Sequence, residues 1–562
     1  MICDEIMAMK IKSPYKTRNS YREIYCTTLN RVFQYATSKY GDRTMSQFVD
    51  GGQKYTYAAF REKCNELSNK MLRFGISADD KVAIWSQNMP NWTLAFFAAT
   101  AFGRVAVPIL PNSSENEVNN ILAHSASKVL FVSQRMLPKL SQESRDRLTL
   151  LIDIETLDII QKREDEIQCN GFVTDPQPDD LATIIYTSGT TEKAKGVMLS
   201  HRNICHNLVA MFKALPCFKS DRFLSILPMA HTYEMSVSTL YSMYVGACYY
   251  ILKNLPSPSV LVSAMQKVRP TVMFTVPLII EKIYRQSVQP TIRKSRLLQW
   301  IDRHMPKLLC WLVWRQVVRK LGGKLRHLGI GGYKIDSEVE NFLIKSGFSY
   351  AVGYGLTETA PLICNDTVST RKRMGSTGVA AYNVEVKLDN INPETGEGEI
   401  VCRGDNVMLG YYKDPERTRK VIDADGWFHT GDIATVDKDG YYYIKGRLKN
   451  TIIGPSGGNI YPEEIEMVIN NIPAVEESLV VKKNNELVAL VKFQDDALDW
   501  AHESEDQFDE KVESLKKSVM EHVNKMVGKR SRIKKVEVMK EPFEKSATQK
   551  ISRFKYIGDT TS

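Results

Sequence analysis

Apolar residues in the first half of the chain fall into two alternating kinds of segment. Residues 54–75 place apolar side chains at helical spacing and end at Gly75, a favourable helix C-cap residue. Residues 81–85 read as a short strand, whereas residues 91–103 are apolar and alanine-rich, as in a buried helix. Strands and helices keep alternating through residue 280. This order predicts parallel βαβ units.

The pattern changes near Lys387. Short strands separated by turn residues follow, at residues 384–388, 398–403 and 440–445, and they predict a small antiparallel or barrel-like β region. The predicted fold class is therefore α/β, with a large N-terminal domain of parallel βαβ subdomains and this small β region over residues 1–446.

A separate, small α+β domain is predicted over residues 447–562. It contains a glycine-rich loop at residues 454–458, a helix that begins at Pro462, two strands and a charged helix over roughly residues 505–527. A domain of this size with few covalent ties to the rest of the chain is expected to rotate.

Composition describes an ordinary soluble chain of several domains. The chain has 562 residues, of which 43% are hydrophobic and 25% charged. Its ten cysteines form no CxxC pair, which excludes common zinc and disulfide frameworks and favours a reducing, cytoplasmic location. The first 16 residues lack the order of a secretory signal, and no apolar run approaches the ~20 residues of a membrane span.

The net charge of +10 is concentrated in one segment, residues 285–326. Eleven Lys or Arg residues stand there against one acid, Asp302. The segment also holds three of the seven tryptophans: Trp300, Trp311 and Trp314. The pattern predicts peripheral contact with an anionic membrane, at its inner surface; the alternative is a core helix with a basic exposed face. Nucleic-acid binding is not expected, because the segment has no motif for it.

One loop has the residues needed to hold polyphosphate. The stretch Tyr186–Gly196 reads YTSGTTEKAKG and follows an apolar strand over residues 181–186. Hydroxyl and backbone N–H groups donate to phosphate oxygens, glycine allows close approach, and Lys195 adds a mobile charge. The segment that follows, residues 197–204, is predicted to be helical. The alternative is an ordinary polar surface loop.

Four further stretches follow the loop in a recognisable order. They are Gly329-Ile-Gly-Gly332, Gly353-Tyr-Gly-Leu-Thr-Glu-Thr359, Gly426-Trp-Phe-His-Thr-Gly-Asp432 continuing to Gly446-Arg447, and Thr548-Gln-Lys550. With the loop, they make nearly the whole chain resemble the adenylate-forming (AMP-binding) superfamily, and within it the long-chain fatty acyl-CoA synthetases.

The resemblance implies an ATP site with two parts. The implied phosphate-binding residues are Thr187, Ser188, Gly189, Thr190, Thr191 and Lys195. The implied adenine- and ribose-binding residues are Gly331, Gly332, Tyr354, Gly355, Thr359, Asp432 and Arg447. Tyr354 would offer a stacking plane and Asp432 would accept from both ribose hydroxyls. Thr187 and Glu358 are the implied Mg²⁺ ligands. The alternative for Glu358 is an ordinary surface carboxylate. The alternative for Tyr354 and its neighbouring glycines is a turn at the end of a strand.

The resemblance also implies residues for the two chemical steps. Lys550 would bridge the attacking carboxylate and the α-phosphate, and His231 would lie near the carboxylate unless it is a hydrogen-bonded structural histidine. The C-terminal domain would pivot at Lys449 and bring Gly457 and Gly458 toward the coenzyme A channel. Catalytic roles are thus implied for Lys550, Glu358, Thr187 and His231.

The implied activity is ATP-dependent conversion of a medium- or long-chain fatty acid to its acyl-adenylate, followed by transfer to coenzyme A. The alternatives are an acyl-AMP ligase that uses a carrier-protein thiol, a non-catalytic adenylate-binding regulator and a scaffold that docks on membranes. The loop departs from the family pattern, since Glu192 and Ala194 replace the usual glycine and proline. We therefore expect a more mobile loop and weaker ATP binding.

Overall fold

The computed structural model of the protein describes most of the chain. The described residues are 27–163, 175–187, 195–253, 257–294, 296–368, 370, 372–453, 459–484, 486–498, 505–546 and 550–557. Several sequence predictions fall outside them. These are the phosphate-binding residues Ser188, Gly189, Thr190 and Thr191, the substituted positions Glu192 and Ala194, the coenzyme A loop residues Gly457 and Gly458, and Thr548 and Gln549.

The strands are numbered in chain order. They are β1 (Thr44–Phe48), β2 (Lys54–Thr56), β3 (Lys81–Trp85), β4 (Val105–Ile109), β5 (Val129–Val132), β6 (Leu150–Asp153), β7 (Ile159–Lys162), β8 (Leu181–Thr187), β9 (Lys195–Ser200), β10 (Arg222–Ser225), β11 (Cys248–Ile251), β12 (Val272–Thr275), β13 (His327–Gly331), β14 (Tyr350–Gly355), β15 (Leu362–Asn365), β16 (Val379–Ala380), β17 (Val384–Asp389), β18 (Gly398–Gly404), β19 (Gly410–Tyr411), β20 (Phe428–Val436), β21 (Tyr442–Arg447), β22 (Ile452–Ile453), β23 (Asn459–Ile460), β24 (Val475–Lys483), β25 (Glu486–Phe493) and β26 (Lys535–Val538).

The α-helices are numbered in the same way. They are α1 (Leu29–Tyr40), α2 (Tyr57–Arg73), α3 (Pro90–Thr100), α4 (Glu115–Ser125), α5 (Gln142–Arg147), α6 (His201–Ala214), α7 (Thr232–Glu234), α8 (Tyr241–Val245), α9 (Pro258–Val268), α10 (Pro277–Ile283), α11 (Gln289–Lys294), α12 (Arg296–His304), α13 (Pro306–Lys320), α14 (Ser337–Ser346), α15 (Pro415–Arg419), α16 (Pro462–Asn470) and α17 (Glu505–Met526). Wider π-helical turns join α7 to α8 and α10 to α11.

Two large mixed sheets dominate the described N-terminal part. One has the order β16-β15-β14-β13-β12-β10-β11-β1-β2, and the other has the order β19-β9-β8-β4-β3-β5-β6-β7. Their central strands are parallel and antiparallel strands lie at the edges. A third sheet, β17-β18-β20-β21, is antiparallel, as predicted for the small β region. The predicted α/β fold class is confirmed.

Several element predictions hold closely. Strand β3 covers the predicted residues, and every residue of α3 is buried, as its uniformly apolar sequence requires. Helix α2 ends at Arg73, and Gly75 beyond it has a φ of 72°, a left-handed conformation that glycine adopts at little cost.

Two element predictions are wrong in part. Residues 54–56 form strand β2, which pairs antiparallel with β1, so the helix predicted over residues 54–75 begins only at Tyr57. The segment after the polyphosphate loop begins as strand β9, which pairs antiparallel with β8, and helix α6 starts only at His201. Ser200 caps that helix through a reciprocal pair of hydrogen bonds with Asn203, so the capping residues mark the true start. The hairpin pairing with β8 overrides the helical appearance of residues 197–200.

The C-terminal residues pack around a core of their own. Ile465 of α16, Val480 of β24 and Val519 of α17 belong to one buried cluster. Hydrogen bonds tie this part to the rest of the molecule: Arg285 donates to Asn471, and Tyr461 Oη donates to Glu397 Oε2 at 2.9 Å. The boundary at residues 446 and 447, the rotation of this part and the pivot at Lys449 stay predictions.

The basic segment over residues 285–326 forms helices α11, α12 and α13 for most of its length. Trp314 is buried, whereas Trp300 and Trp311 are exposed. Within the described residues, we find no helix that is both long and apolar enough to cross a membrane.

Candidate active site

The β8–β9 hairpin presents two predicted site residues side by side. Thr187 ends β8 and pairs in register with Lys195, which begins β9. The hydroxyl oxygen of Thr187 is buried and has no hydrogen-bond partner in the described structure. A buried oxygen of this kind needs a partner, and a hard cation or a phosphate group would supply one. The geometry of Thr187 therefore fits the predicted Mg²⁺ site.

Lys195, Glu358 and Tyr411 form a compact triad. Lys195 Nζ lies 2.8 Å from Glu358 Oε1 and 2.9 Å from Tyr411 Oη, and Tyr411 Oη donates to the same carboxylate oxygen at 2.9 Å. Burial acts to raise the pKa of Glu358, but the Lys195 charge and the hydrogen bonds from Lys195 and Tyr411 outweigh it and lower the pKa. Glu358 is therefore ionised, and it lies beside Lys195 at the end of the β8–β9 hairpin.

Tyr411 is a site residue that the sequence analysis missed. It lies in the two-residue strand β19, which pairs antiparallel with β9 at the edge of the sheet. Its ring also lies 4.7 Å from Lys195 Nζ, a cation–π contact. The sequence around it, Gly410-Tyr-Tyr412, carries no polar motif, and only the strand pairing brings it to Lys195.

Asp432 is held by two other predicted nucleotide-binding residues. Tyr354 Oη donates to Asp432 Oδ2 at 2.6 Å, and Arg447 Nε lies 2.8 Å from Asp432 Oδ1. Asp432 and Arg447 face each other across β20 and β21. Burial raises the pKa of Asp432, and Arg447 and Tyr354 oppose that rise. Each carboxylate oxygen retains a lone pair, so Asp432 can still accept hydrogen bonds from the hydroxyl groups of a ribose.

Lys550 approaches the same site from the C-terminal part of the chain. The residue is exposed, yet protein atoms on several sides displace water from its ammonium group and lower its pKa, as does the charge of Arg447. Asp432 and Glu358 act in the opposite direction. Lys550 is therefore reached by solvent and lies within electrostatic range of both carboxylates.

His231 makes the structural hydrogen bond that was the alternative prediction for it, and its predicted place beside the acid's carboxylate stays a prediction. Its Nδ1 accepts from the backbone N–H of Tyr233 at 3.2 Å and so caps α7. Burial, with a smaller contribution from Lys550, lowers the pKa of His231 to about 4. The imidazole is therefore neutral at pH 7, and it lies in electrostatic range of Lys550.

The predicted adenine-site glycines occupy close approaches of the backbone. A Cβ atom on Gly355 would lie 1.7 Å from the carbonyl oxygen of Pro361, and one on Gly331 would lie 3.1 Å from the Tyr233 ring. Gly332 has a φ of 87°, in the left-handed region. Gly331 and Gly355 end β13 and β14, two parallel neighbours in one sheet. Ligands of open α/β sheets bind at such carboxyl ends of strands.

Thr359, another predicted nucleotide-binding residue, hydrogen-bonds within its own turn. It is fully buried, and its hydroxyl oxygen accepts from Leu356 N and donates to the Pro361 carbonyl oxygen at 2.5 Å. The hydroxyl is used to hold the turn that carries Glu358. Lys449, the predicted pivot, is exposed in a single turn at Leu448–Asn450.

Comparison with known proteins identifies the family. A family model described as AMP-binding enzyme matches residues 33–412. Feruloyl-CoA synthase from Amycolatopsis sp is 30% identical over 436 residues, which cover 77% of this chain and 81% of that protein. The chain belongs to the AMP-binding enzyme family.

Two further relatives extend the comparison to nearly the whole chain. Peroxisomal long chain acyl-CoA synthetase 7 of Arabidopsis thaliana is 29% identical over 545 residues, covering 88% of this chain and 76% of that protein. The structure of O-succinylbenzoate coenzyme A synthetase from Bacillus subtilis, in complex with ATP and magnesium ion, superposes with a TM-score of 0.74 at 22% identity, over 93% of this chain and 98% of that one. Together the comparisons support an AMP-forming acyl-CoA ligase that uses ATP, coenzyme A and an acid.

Proposed function

We propose that the protein activates a medium- or long-chain fatty acid with ATP and transfers the acyl group to coenzyme A. The observation that carries this proposal is the approach of Lys550 to Asp432 and Glu358. Lys550 thus comes within electrostatic range of two carboxylates that stand more than 100 positions earlier in the sequence. A cation beside two anchored carboxylates suits a reaction between a carboxylate and a polyphosphate, in which positioning and charge neutralisation provide the catalysis.

The first step joins the acid to AMP. A carboxylate oxygen of the acid attacks the α-phosphorus of ATP, the bond between that phosphorus and the bridging oxygen breaks, and diphosphate leaves with the electron pair. Lys550 donates to the attacking carboxylate and to an α-phosphate oxygen, so that two anions are held together. Lys195, released from Glu358, donates to the departing phosphates.

The nucleotide is held by residues from both large sheets and the small one. Asp432 and Arg447 bind the ribose, and Tyr354 with the carboxyl ends of β13 and β14 encloses the adenine. Thr187 and Glu358 would hold Mg²⁺, which supplies further neutralisation of phosphate charge when it is bound. The unpartnered hydroxyl of Thr187 supports this assignment.

The second step exchanges AMP for coenzyme A. The thiol sulfur attacks the acyl carbon, the acyl–phosphate bond breaks, AMP leaves, and the thiol proton passes to water. We propose that the C-terminal part turns at Lys449 between the two steps, which withdraws Lys550 and brings Gly457 and Gly458 to the thiol channel. The exposed position of Lys449, in a single turn between β21 and β22, supports this pivot.

A fatty acid is favoured because a long chain acyl-CoA synthetase covers more of this chain than the feruloyl-CoA synthase does. The slightly higher identity to feruloyl-CoA synthase makes an aromatic acid the second candidate.

Diphosphate release, measured with a panel of acids and with or without coenzyme A, tests both candidates. We expect hexadecanoate and dodecanoate to exceed ferulate at least ~10-fold in kcat/KM, and thioester to form only with coenzyme A. Preference for ferulate would replace the fatty acid by an aromatic one. Thioester on a holo-acyl carrier protein but not on coenzyme A would favour a carrier-protein ligase, and no diphosphate with any acid would contradict the proposed chemistry.

A further inference from the structure

Helices α12 and α13 carry large apolar side chains that face solvent. The six that define this face are Leu297, Trp300, Met305, Leu308, Trp311 and Leu312. Leu297 is 67% exposed and Trp300 is 55% exposed, whereas core residues of the same types are almost completely covered. We call these six residues the apolar face. Large exposed apolar side chains grouped on two consecutive helices are typical of interaction sites.

The apolar face is displayed by helices that are firmly packed on their other side. In α13, Leu309, Val313 and Val317 are buried in the core, and Leu308, Trp311 and Leu312 lie at positions that point away from them. In α12, Leu298 and Ile301 contact the same core. The apolar face is therefore a second face of two helices that the core holds in place.

Basic side chains surround the apolar face. The exposed basic residues of α12, α13 and the link between them are Arg296, Arg303, Lys307, Arg315, Arg319 and Lys320. None of the six makes an ion pair with a described acidic residue. Arg315 instead stacks on Trp311, with 4.6 Å between its guanidinium carbon and the ring centroid. The positive charge of the face is thus left for an external anion.

We propose that the apolar face docks on the surface of an anionic lipid bilayer. Tryptophan has an apolar body and a polar N–H group, which suits the boundary between headgroups and acyl chains. Leu297, Leu308 and Leu312 would enter the acyl region beside it, and the basic residues would contact lipid phosphates. This arrangement would hold the protein on a membrane through the side chains of α12 and α13.

Other occupants fit the face less well. Two copies of the chain would bring twelve basic side chains together without acidic partners, so self-association opposes the charge pattern. A nucleic acid would satisfy the charges but would leave four exposed aliphatic side chains without an apolar partner. A bilayer with anionic headgroups satisfies both sets of groups.

The docking surface also bears on where a fatty acid enters the protein, an inference that rests on the proposed function. Helix α13 packs on an apolar cluster that also contacts Tyr233, which is two residues from His231 in the candidate active site. The apolar face and Tyr233 therefore lie against one and the same apolar cluster, so an acid delivered at the face starts close to the candidate active site. Docking itself requires no particular acid.

Vesicle co-sedimentation of the full chain tests the docking surface. The vesicles contain phosphatidylcholine alone or with 30% phosphatidylglycerol, and the buffers contain 0.1 M or 0.5 M salt. We expect anionic vesicles to bind at least ~10-fold more tightly than neutral ones, and salt to weaken that binding. Equal binding to both vesicles, or none to either, would overturn the proposal.

Variants locate the contact on the apolar face. Trp300→Ser with Trp311→Ser should weaken binding at least ~10-fold. Lys307→Gln or Arg319→Gln should each weaken it roughly fivefold at 0.1 M salt, from about 1 kcal/mol per charge near an anionic surface. Ile391→Ser and Lys438→Gln are matched exposed controls elsewhere in the chain, and they should change nothing. Equal losses in the controls and the face variants would place the contact elsewhere.

Two further readouts separate bilayer docking from self-association and from nucleic-acid binding. Sedimentation velocity should show no concentration-dependent dimer of the wild-type protein. A dimer that the tryptophan variant abolishes would replace the bilayer by a second copy of the chain. Tight binding of duplex DNA by the same face would replace it by a nucleic acid. Activity on water-soluble hexanoate should be unchanged in the variants, while activity on vesicle-borne hexadecanoate should fall. If the wild-type protein binds vesicles but activates no acid, the proposed function is contradicted and the docking proposal still holds.

Discussion

Lys195 and Glu358 neutralise each other in the site, with Lys195 Nζ 2.8 Å from Glu358 Oε1. The residue predicted to bind phosphate is therefore paired with the residue predicted to bind Mg²⁺. Binding of Mg²⁺ and ATP would give each of them a partner of opposite charge and separate the pair. The ion pair thus keeps both charges satisfied until the nucleotide arrives.

Glu358→Gln should lower the rate of diphosphate release at least ~10²-fold and raise the Mg²⁺ concentration required for half-maximal rate. The amide keeps the shape and can still accept from Tyr411, but it is a poor ligand for Mg²⁺. Single-turnover diphosphate release across a Mg²⁺ series measures both effects. Glu385→Gln is the control, since Glu385 also pairs with a basic residue, Arg403, at the surface. An unchanged Mg²⁺ dependence in Glu358→Gln would contradict the metal assignment.

Lys550→Ala should cut adenylation at least ~10²-fold, the scale for losing one preorganised donor. Thioester formation from supplied acyl-adenylate should survive, because Lys550 acts in the first step. Lys545→Ala is a matched control five residues earlier, where Nζ pairs with Glu477 at 2.6 Å. Measuring the two half-reactions separately is decisive: an equal fall in both would remove Lys550 from this role.

Asn471→Ala should slow adenylation roughly tenfold. Arg285 donates to Asn471 O at 2.9 Å and to Asn471 Oδ1 at 2.7 Å, and this bond joins the C-terminal part to the rest of the chain in the arrangement that brings Lys550 into the site. Loss of a charge-assisted hydrogen bond there lowers the population of that arrangement. The thioester step from supplied acyl-adenylate should not slow.

Asn470→Ala is the control for that variant, because Asn470 accepts from Ser478 within the C-terminal part. If Asn471→Ala slows both half-reactions, or neither, the bond does not select the adenylation arrangement.

His231 should make the protein less stable in mild acid. Its pKa is lowered to about 4 by burial and by Lys550, against about 6.5 in an unfolded chain. Between these values the unfolded chain binds a proton that the folded chain does not, so the stability falls as the pH decreases from 6.5.

Urea unfolding at pH 7.5 and 5.0 measures this dependence. The loss of stability on acidification should be ~1–2 kcal/mol smaller in His231→Gln than in the wild type. Ile391→Ser alters an exposed residue without a titrating group and should leave the loss unchanged. An identical pH dependence in wild type and His231→Gln would show that the imidazole titrates normally.

Gly355→Ala should destabilise the protein by ~3 kcal/mol or more, because its Cβ would lie 1.7 Å from the Pro361 carbonyl oxygen and force β14 away from β15. The displaced turn carries Glu358, so adenylation should also fail. Gly528→Ala has open space around the new methyl group and serves as the control. Thermal unfolding and diphosphate release check both variants; a normal Tm for Gly355→Ala would mean that the backbone relaxes.

The sequence alone identified elements whose pattern is complete within a short segment. The apolar run of α3 and the strand β3 could be read directly, because hydrophobic periodicity depends only on neighbouring residues. The motifs that carry Glu358, Asp432 and Lys550 were also visible, since each brings its polar residue within a short glycine- or threonine-rich stretch. The α/β class and the family followed from the order of these local signals.

The tertiary structure decided which of these residues contact one another. Residues 197–200 form a strand because β8 offers a pairing partner, which no local pattern reveals. Tyr411 joins Lys195 and Glu358 only through the pairing of β19 with β9, and Thr359 turns inward to hold its own turn. Hydrogen bonds between side chains more than 100 residues apart depend on the packing of whole sheets, so they are fixed by the fold rather than by any one segment of the sequence.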